Sequence, residues 1–216
     1  MKTVVLVSGQ MRTADKCAAD ILRGFCDAEF IVHAVADDDA HKGHLFKPRV
    51  LVIEPQQEMP ERREYSIQIG RGCHGVQRVL KQLWGLKRVW ETFVASGIKA
   101  DVIVRMRPDI HFRSKTNEIV NVSEPFVAVP AFANWWGCND RYAYGTRSEM
   151  ERYFTRLDRL DEYIDKGGVF HPESFLAADL LAAGITIKKT KAVFATLRPD
   201  GTTDEPIWCP DAGDEY

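Results

Sequence analysis

The amino-acid sequence predicts a single α/β domain with a mostly parallel central sheet and helices on both faces. Short apolar runs at residues 4–7 and 102–104 are typical of strands that a parallel sheet buries on both sides. Residues 76–95 repeat apolar side chains every three or four positions, which indicates an amphipathic helix. The chain has 216 residues, 45% of them hydrophobic, and this is enough for one well-buried core.

Strand and helix patterns alternate along the first half of the chain. The expected elements are a strand at 2–8, a helix at 15–25, strands at 30–36 and 50–53, a helix at 76–95 and a strand from residue 102. The polar, proline-marked segment 54–63 is expected to be a loop. Gly97 marks the end of the long helix.

The second half continues with shorter elements. Strands are expected at 126–130, 141–145, 185–190 and 192–197. Thr146 and Glu149 have the spacing of a capping box for a helix that runs to about residue 164. Pro172 suits the first position of a further helix, which Gly184 ends. From Pro199 onward no periodicity is visible, so this tail is expected to wrap over the site or to be mobile.

Charge and the start of the sequence limit the possible functions. With 29 basic and 31 acidic residues the net charge is -2, so a general attraction to nucleic acid or anionic membrane is not expected. The start has four consecutive apolar residues, too few for a signal-peptide core or a membrane span, and this predicts a cytoplasmic location. The five cysteines are scattered, without the spacing of a zinc site or redox motif.

Charged residues end the apolar strand that starts at residue 102. Open α/β sheets bind ligands beyond the carboxyl ends of their strands, so Arg105, Arg107 and Asp109 are expected in the ligand crevice. Two guanidiniums suit a diphosphate, and one carboxylate suits a divalent cation that bridges the phosphates. The alternative is an ion pair between Asp109 and either arginine.

The turns after the first two strands are further candidates. Ser8, Gly9, Gln10 and Arg12 follow the first strand and precede a helix, where the glycine permits close backbone approach and the arginine can meet a phosphate. The alternative is a glycine turn with a solvated arginine. Asp37 and Asp38 end the second strand, where a carboxylate could bind ribose hydroxyls or a base; polar strand ends are also common.

An aromatic loop precedes a polar cluster. Trp135 and Trp136 are adjacent in a loop, so both cannot easily join the core, and an exposed indole offers a flat platform for a sugar ring. Core packing of one of them is the alternative. Asn139, Asp140 and Arg141 follow at once, and together these residues are typical of a binding rim.

Glu173 is a candidate general base beside His171. It lies in the first turn of a predicted helix, whose dipole is expected to keep the carboxylate ionised and ready to accept a proton. Simple capping of the helix is the alternative.

A glycine-rich segment leaves a different enzyme class open. Gly70 to Gly75 match the dinucleotide pattern GxGxxG. The preceding residues 65–69 alternate rather than run apolar, and no acidic residue closes a second strand at the distance the fingerprint requires. A nicotinamide or flavin site is therefore the weaker interpretation.

Several motifs together resemble GT-A-type glycosyltransferases of surface or capsular polysaccharide pathways. The motifs are the start at 4–13, the helix at 80–95, Arg105-Met106-Arg107-Pro108-Asp109, Asn139-Asp140-Arg141-Tyr142-Ala143-Tyr144-Gly145 and His171-Pro172-Glu173. Enzymes of this type carry similar elements in this order, and the resemblance spans most of the chain. Where many of them have Asp-x-Asp, this sequence has Arg107-Pro108-Asp109, which leaves one carboxylate for a metal.

The resemblance implies a hexosyl- or deoxyhexosyltransferase that uses a nucleotide-diphosphate sugar such as a UDP-sugar, with manganese or magnesium, and a glycan acceptor. It implies a Rossmann-like donor-nucleotide half at 1–110, an acceptor half at 111–198 and a C-terminal tail at 199–216. The donor would contact Ser8, Gly9, Gln10, Arg12, Asp37, Asp38, Arg105 and Arg107, with Asp109 on the cation. Trp135, Trp136, Asn139 and Arg141 would bind the acceptor. Glu173 or Asp140 would deprotonate the acceptor if the reaction inverts the anomeric configuration, and the resemblance leaves inversion or retention open.

Two other functions fit the same residues. One is a nucleotide-dependent oxidoreductase that uses the loop from Gly70 to Gly75. The other is a non-catalytic sugar-binding module, in which Trp135 and Trp136 bind glycan and the acidic residues are structural.

Overall fold

The computed structural model of the chain describes residues 1–70, 75–113 and 124–204. The strands are β1 (Thr3–Gly9), β2 (Glu29–Val35), β3 (Val50–Glu54), β4 (Val102–Met106), β5 (Ile110–Phe112), β6 (Val127–Pro130), β7 (Tyr142–Thr146), β8 (Ile187–Thr190), β9 (Phe194–Leu197) and β10 (Thr203–Asp204). The α-helices are α1 (Ala14–Gly24), α2 (Arg63–Ile67), α3 (Val76–Ala95), α4 (Arg147–Phe154), α5 (Leu160–Asp165) and α6 (Pro172–Ala182). Two 3₁₀ helices lie at Ala40–Phe46 and Arg156–Arg159.

A seven-stranded sheet in the order β3-β2-β1-β4-β7-β6-β8 forms the centre of the molecule. Only β7 among these strands runs against its neighbours; β3, β2, β1 and β4 are parallel, as are β6 and β8. The carboxyl ends of β3, β2, β1 and β4 therefore meet at one edge. This confirms the predicted single α/β domain with a mostly parallel sheet.

The two faces of the sheet carry separate hydrophobic cores. Val4, Leu6 and Ile103 pack with α3, α4 and α6 on one face. Val5, Val7 and Val104 pack on the other face with α1, the first 3₁₀ helix and β9. Because alternate residues of one strand enter different cores, an almost unbroken apolar run is required, as the sequence of β1 predicts.

The prediction of one helix from Thr146 to about residue 164 is wrong in two respects. The helix is divided into α4, the 3₁₀ helix Arg156–Arg159 and α5, and the break accompanies burial of the whole Arg156 side chain. The capping box is also absent, because Thr146 Oγ1 is buried without a hydrogen-bond partner in the described residues. Glu149 instead accepts a hydrogen bond from the hydroxyl of Ser148.

A second, smaller sheet was not predicted. It pairs β5 with β9 and β9 with β10, all antiparallel, and covers the face that carries α1. The start of the tail therefore pairs with β9 through Thr203 and Asp204, whereas residues 205–216 lie outside the described residues. No helix in the described ranges is long and apolar enough to cross a membrane.

Candidate functional site

A crevice of about 240 Å³ opens at the edge where the carboxyl ends of β1, β2 and β4 meet. One face of α3 forms its opposite wall, and residues 197–199, at the end of β9, close one side. Ligands of open α/β sheets bind at this kind of edge. The walls combine basic and polar side chains with apolar ones.

The turn after β1 lies in the crevice, as predicted. Ser8, Gly9, Gln10 and Arg12 all line it. Gly9 has a φ of 139°, a conformation that favours glycine. The exposed Arg12 side chain makes no ion pair with any residue that the structure describes, so it is free to meet an anion.

Asp37 and Asp38 lie elsewhere than expected. Both are exposed, and Asp37 Oδ1 accepts a hydrogen bond of 3.1 Å from the backbone N–H of Asp39. The carboxylate thus stabilises the turn that leads into the 3₁₀ helix. His33 and Val35 of β2 line the crevice instead.

Arg107 and Asp109 form the ion pair that the sequence left open. Arg107 Nε donates to Asp109 Oδ1 at 2.9 Å and Nη2 donates to Oδ2 at 2.6 Å. Burial opposes ionisation of Asp109, but the Arg107 guanidinium outweighs burial and holds the pKa of this carboxyl below its usual range. Both carboxylate oxygens are therefore occupied by one guanidinium.

Arg105 is a buried cation without a carboxylate partner within ion-pair distance in the described residues. It is 2% exposed and lines the crevice. Its Nη1 donates to the carbonyl of Met106, while its Nε is buried without a partner among those residues. Burial lowers the pKa of Arg105 to about 10, which still leaves it charged at neutral pH. A buried guanidinium that has an unpaired donor and faces a crevice is suited to an anionic ligand.

A polar stripe on α3 was missed by the sequence analysis. Arg78, Lys81, Gln82 and Gly85 recur at helical spacing and all line the crevice. Lys81 pairs with Glu58, and Gln82 donates to a carboxylate oxygen of Asp140. The signal was present in the sequence, because these residues recur every three or four positions on the polar side of an amphipathic helix.

The crevice concentrates positive charge in a chain of net charge -2. The cations on its described walls are Arg12, Arg78, Lys81, Arg105, Arg107 and Arg198. Of these, Lys81, Arg107 and Arg198 are paired with Glu58, Asp109 and Asp204. A concave surface of one sign focuses the field on a ligand of the opposite sign. The arrangement therefore favours a polyanion such as a diphosphate.

The same residues do not fit a divalent cation. Hard cations take several oxygen ligands, and Asp109 has both oxygens bound to Arg107. No group of three or more His, Cys, Asp or Glu side chains in the described ranges is placed to hold a metal ion.

Asp140 and Glu173 form a second group, beyond the crevice wall. Asp140 is 3% exposed; besides Gln82, it has Arg156 Nη2 at 3.5 Å from its carboxylate. The hydroxyl of Tyr153 donates to the Asp140 carbonyl at 2.9 Å. Gln82 therefore connects the crevice to this buried carboxylate.

Glu173 differs from expectation in its charge. Burial, reinforced by the nearby charge of Asp140, raises the pKa of Glu173 to about 8, so it is mostly protonated at neutral pH. The prediction that the helix dipole keeps it ionised is wrong, because desolvation outweighs the dipole here. His171 Nδ1 lies 3.3 Å from Glu173 Oε2 without hydrogen-bond geometry.

Trp135 and Trp136, adjacent in the loop between β6 and β7, lie in different environments. Trp135 packs partly against the second core, whereas Trp136 is 73% exposed with its ring 6.4 Å from that of His171. Both have positive φ, of 44° and 61°, which costs energy in a residue with a side chain. Ala133 of the same loop also has a positive φ, of 51°, so the strain is spread along the loop.

The polar residues of this loop are structural in the free protein. Buried Asn139 donates to the carbonyl of Phe132 at 3.0 Å and accepts from the backbone N–H of Arg141 at 3.0 Å. Arg141 Nη1 donates to Thr196 Oγ1 at 3.3 Å. At Gly137, an added Cβ would overlap the carbonyl of Glu173, so the loop and the start of α6 require this glycine.

Comparison with known proteins gives similarity of fold only. No family model and no curated protein matches the sequence. Among solved structures, the glycosyltransferase GlyE of Streptococcus pneumoniae TIGR4 is 10% identical, with 88% of this chain and 45% of that chain covered and a TM-score of 0.49. The galactosyltransferase LgtC is 8% identical, with 86% and 72% covered and a TM-score of 0.49. A nucleoside-diphosphate-sugar pyrophosphorylase from Vibrio cholerae RC9 is 10% identical, with 87% and 90% covered and a TM-score of 0.46.

Proposed function

We propose that this chain is a glycosyltransferase that moves a sugar from a nucleoside-diphosphate donor to a hydroxyl group of a glycan or other acceptor. The observation that carries the proposal is the basic crevice, with buried Arg105 on its wall. Its place at the carboxyl ends of β1, β2 and β4 suits a nucleotide. The resemblance of the sequence motifs to GT-A-type enzymes supports the sugar as the transferred group.

The cations would act mainly on the leaving group. When the bond between the anomeric carbon and the diphosphate breaks, negative charge grows on the departing oxygen. Buried Arg105 would stabilise that charge through hydrogen bonds fixed in advance, and exposed Arg12 would add its charge. Arg107, held by Asp109, would contribute charge with less freedom to move.

The acceptor would approach from the side of β7. Trp136 would support a sugar ring of the acceptor, and Glu173 would take the proton from the attacking hydroxyl, with Asp140 as the alternative base. A base with a pKa near 8 accepts a proton efficiently once it is ionised. From the resemblance, we propose a surface polysaccharide as acceptor and a UDP-sugar as donor.

A metal is not needed to neutralise charge in this proposal. The donor set around Asp109 does not fit a divalent cation, whereas the basic wall can stabilise a diphosphate directly. The role of Asp109 that we propose is therefore to orient Arg107.

The oxidoreductase alternative lacks the structural context of its motif. A short helix, α2, precedes Gly70, where the dinucleotide fingerprint requires a strand. Residues 71–74 of that motif lie outside the described residues. A non-catalytic sugar-binding module would bind glycan through Trp136 and turn over no donor.

Thermal denaturation with a panel of ligands tests the proposal. UDP, GDP, CDP or ADP at a hundred times its dissociation constant should stabilise the protein by about 2.7 kcal/mol. The gain should fall with rising salt, because the contacts are ionic. Stabilisation by NAD but by none of the nucleoside diphosphates would contradict a glycosyltransferase.

A further inference from the structure

Gly85 occupies an unfavourable position in the interior of the 20-residue helix α3. Glycine in the middle of a helix is destabilising relative to alanine, because glycine loses more conformational freedom when the chain folds. A Cβ added at Gly85 would meet no neighbouring atom within 4 Å. Alanine would therefore fit in the free protein and strengthen the helix.

Other glycines of this chain have a structural reason that Gly85 lacks. At Gly145, as at Gly137, an added Cβ would overlap a backbone carbonyl. Gly97 has a φ of 68°, which favours glycine at the helix end. Gly85 has neither a close neighbour nor a positive φ, yet it is buried and lines the crevice. The space above it is thus part of the crevice.

The neighbours of Gly85 show which part of a donor reaches this space. Trp84 contacts His33 of β2 edge-on, with ring centroids 5.3 Å apart. Arg88, nearly one turn further along α3, pairs with Glu54 at the end of β3 at 2.7 Å. This part of α3 therefore lies over β2 and β3.

The strand order gives the donor a direction. Arg105 belongs to β4, and β1 lies between β4 and β2. With its diphosphate on Arg105, a donor would extend its sugar towards Asp140, which precedes β7, and its nucleoside towards β2. Near Gly85 that end offers the neutral ring of Trp84 and the side chains of His33 and Val35, which suit an uncharged, flat group.

We propose that Gly85 is a donor-binding residue, against whose bare backbone the nucleoside of the donor packs. The inference rests on the proposed function, because it assigns one part of the proposed donor to one part of the crevice. A side chain at this position would fill the space that the nucleoside occupies.

Gly85→Ala should change stability and affinity in opposite senses. In the absence of ligand its Tm should rise by about 2–4 °C, because the helix gains a better helix former. The nucleoside diphosphate that the unaltered protein binds most tightly among UDP, GDP, CDP and ADP should bind about tenfold more weakly, because one extra carbon overfills a packed contact. Gly85→Leu should weaken the binding of the same nucleotide further. Isothermal titration calorimetry measures each affinity.

Val94→Ala is the matched control. Val94 is 47% exposed near the end of the same helix and does not line the crevice. The Val94→Ala substitution should also raise helix propensity, but it should leave the nucleotide affinity unchanged. Inorganic pyrophosphate should bind Gly85→Ala as well as it binds the unaltered protein, because the phosphates lie on the arginines.

Three outcomes would overturn the inference in different ways. Unchanged nucleotide affinity in both Gly85 variants would show that nothing packs there. An equal loss for pyrophosphate would show that phosphates, and not the nucleoside, occupy the space. If the unaltered protein binds none of the four nucleotides, the proposed function fails and this inference fails with it.

Discussion

Replacement of Arg105 by methionine should separate ligand binding from folding. Arg105 is 2% exposed, and in the described residues its guanidinium pairs with no carboxylate. Methionine keeps a flexible, unbranched side chain, shorter than that of arginine, and removes the charge. We expect Arg105→Met to fold with equal or greater stability and to bind nucleoside diphosphates weakly.

The magnitudes follow from the surroundings of Arg105. Burial lowers its pKa to about 10. That fall corresponds to a cost of about 3 kcal/mol for keeping the charge. The hydrogen bond to the Met106 carbonyl returns about 1.5–3 kcal/mol. A charge-assisted hydrogen bond to a phosphate contributes about 1.5–3 kcal/mol, so its loss should weaken binding about ten- to a hundredfold.

Thermal denaturation and calorimetric titration measure the two effects on the same sample. Arg159→Met is a matched control, because Arg159 is bound to Asp179 through Nε at 2.8 Å and Nη2 at 2.9 Å and does not line the crevice. It should lower the Tm, since it breaks a partly buried ion pair, and leave nucleotide affinity unchanged. The reasoning is refuted if Arg105→Met lowers the Tm strongly while nucleotide affinity stays the same.

Three further predictions concern the remaining site residues. Asp109→Asn should lower the Tm, because it breaks the two-bond ion pair with Arg107. It should weaken nucleotide binding only slightly, because Arg107 keeps its charge and loses only the carboxylate that orients it. An unchanged Tm with a loss of manganese-dependent transfer would instead favour a cation on Asp109. Folding raises the pKa of Glu173 from 4.5 to about 8, so the folded state holds a proton that the unfolded chain releases. Stability should therefore fall, and the transfer rate should rise, as pH increases from about 5 to 8. Glu173→Gln should flatten both pH profiles. Profiles identical to those of the unaltered protein would exclude Glu173 as the base. Trp136→Ala should raise the acceptor KM and leave donor affinity unchanged, because Trp136 lies outside the crevice walls; kinetics with varied acceptor measure this, and a weaker donor would contradict it.

The parts of the fold that depend on local patterns could be predicted from the sequence. The bounds of β1, β2 and β3 differ from expectation by one residue, and α3 is as expected. The break after α4 could not be predicted, because it accompanies burial of Arg156 close to Asp140, a contact between residues 16 positions apart. The small sheet likewise depends on pairing between β5 and β9, far apart in sequence.

The site shows the same division. Because ligands of open α/β sheets bind beyond the carboxyl ends of the strands, the sequence places Arg105 and Arg107 in the crevice. It does not say which arginine pairs with Asp109, since that depends on side-chain geometry. Asp37 and Asp38 follow a strand end yet do not line the crevice, and Asp37 stabilises the turn before the 3₁₀ helix. The polar stripe of α3 was readable as spacing, whereas its direction towards the sheet edge became clear only from the packing of Trp84 on His33.

Transfer of a sugar is the central claim, and a donor-turnover assay tests it most directly. The protein would be incubated with UDP-, GDP-, CDP- and ADP-sugars and a mixture of glycan acceptors, and the released nucleoside diphosphate would be measured. We predict release from at least one donor that depends on the acceptor and is greatly reduced in Arg105→Met. Release from no donor, although a nucleoside diphosphate binds the crevice, would contradict a glycosyltransferase.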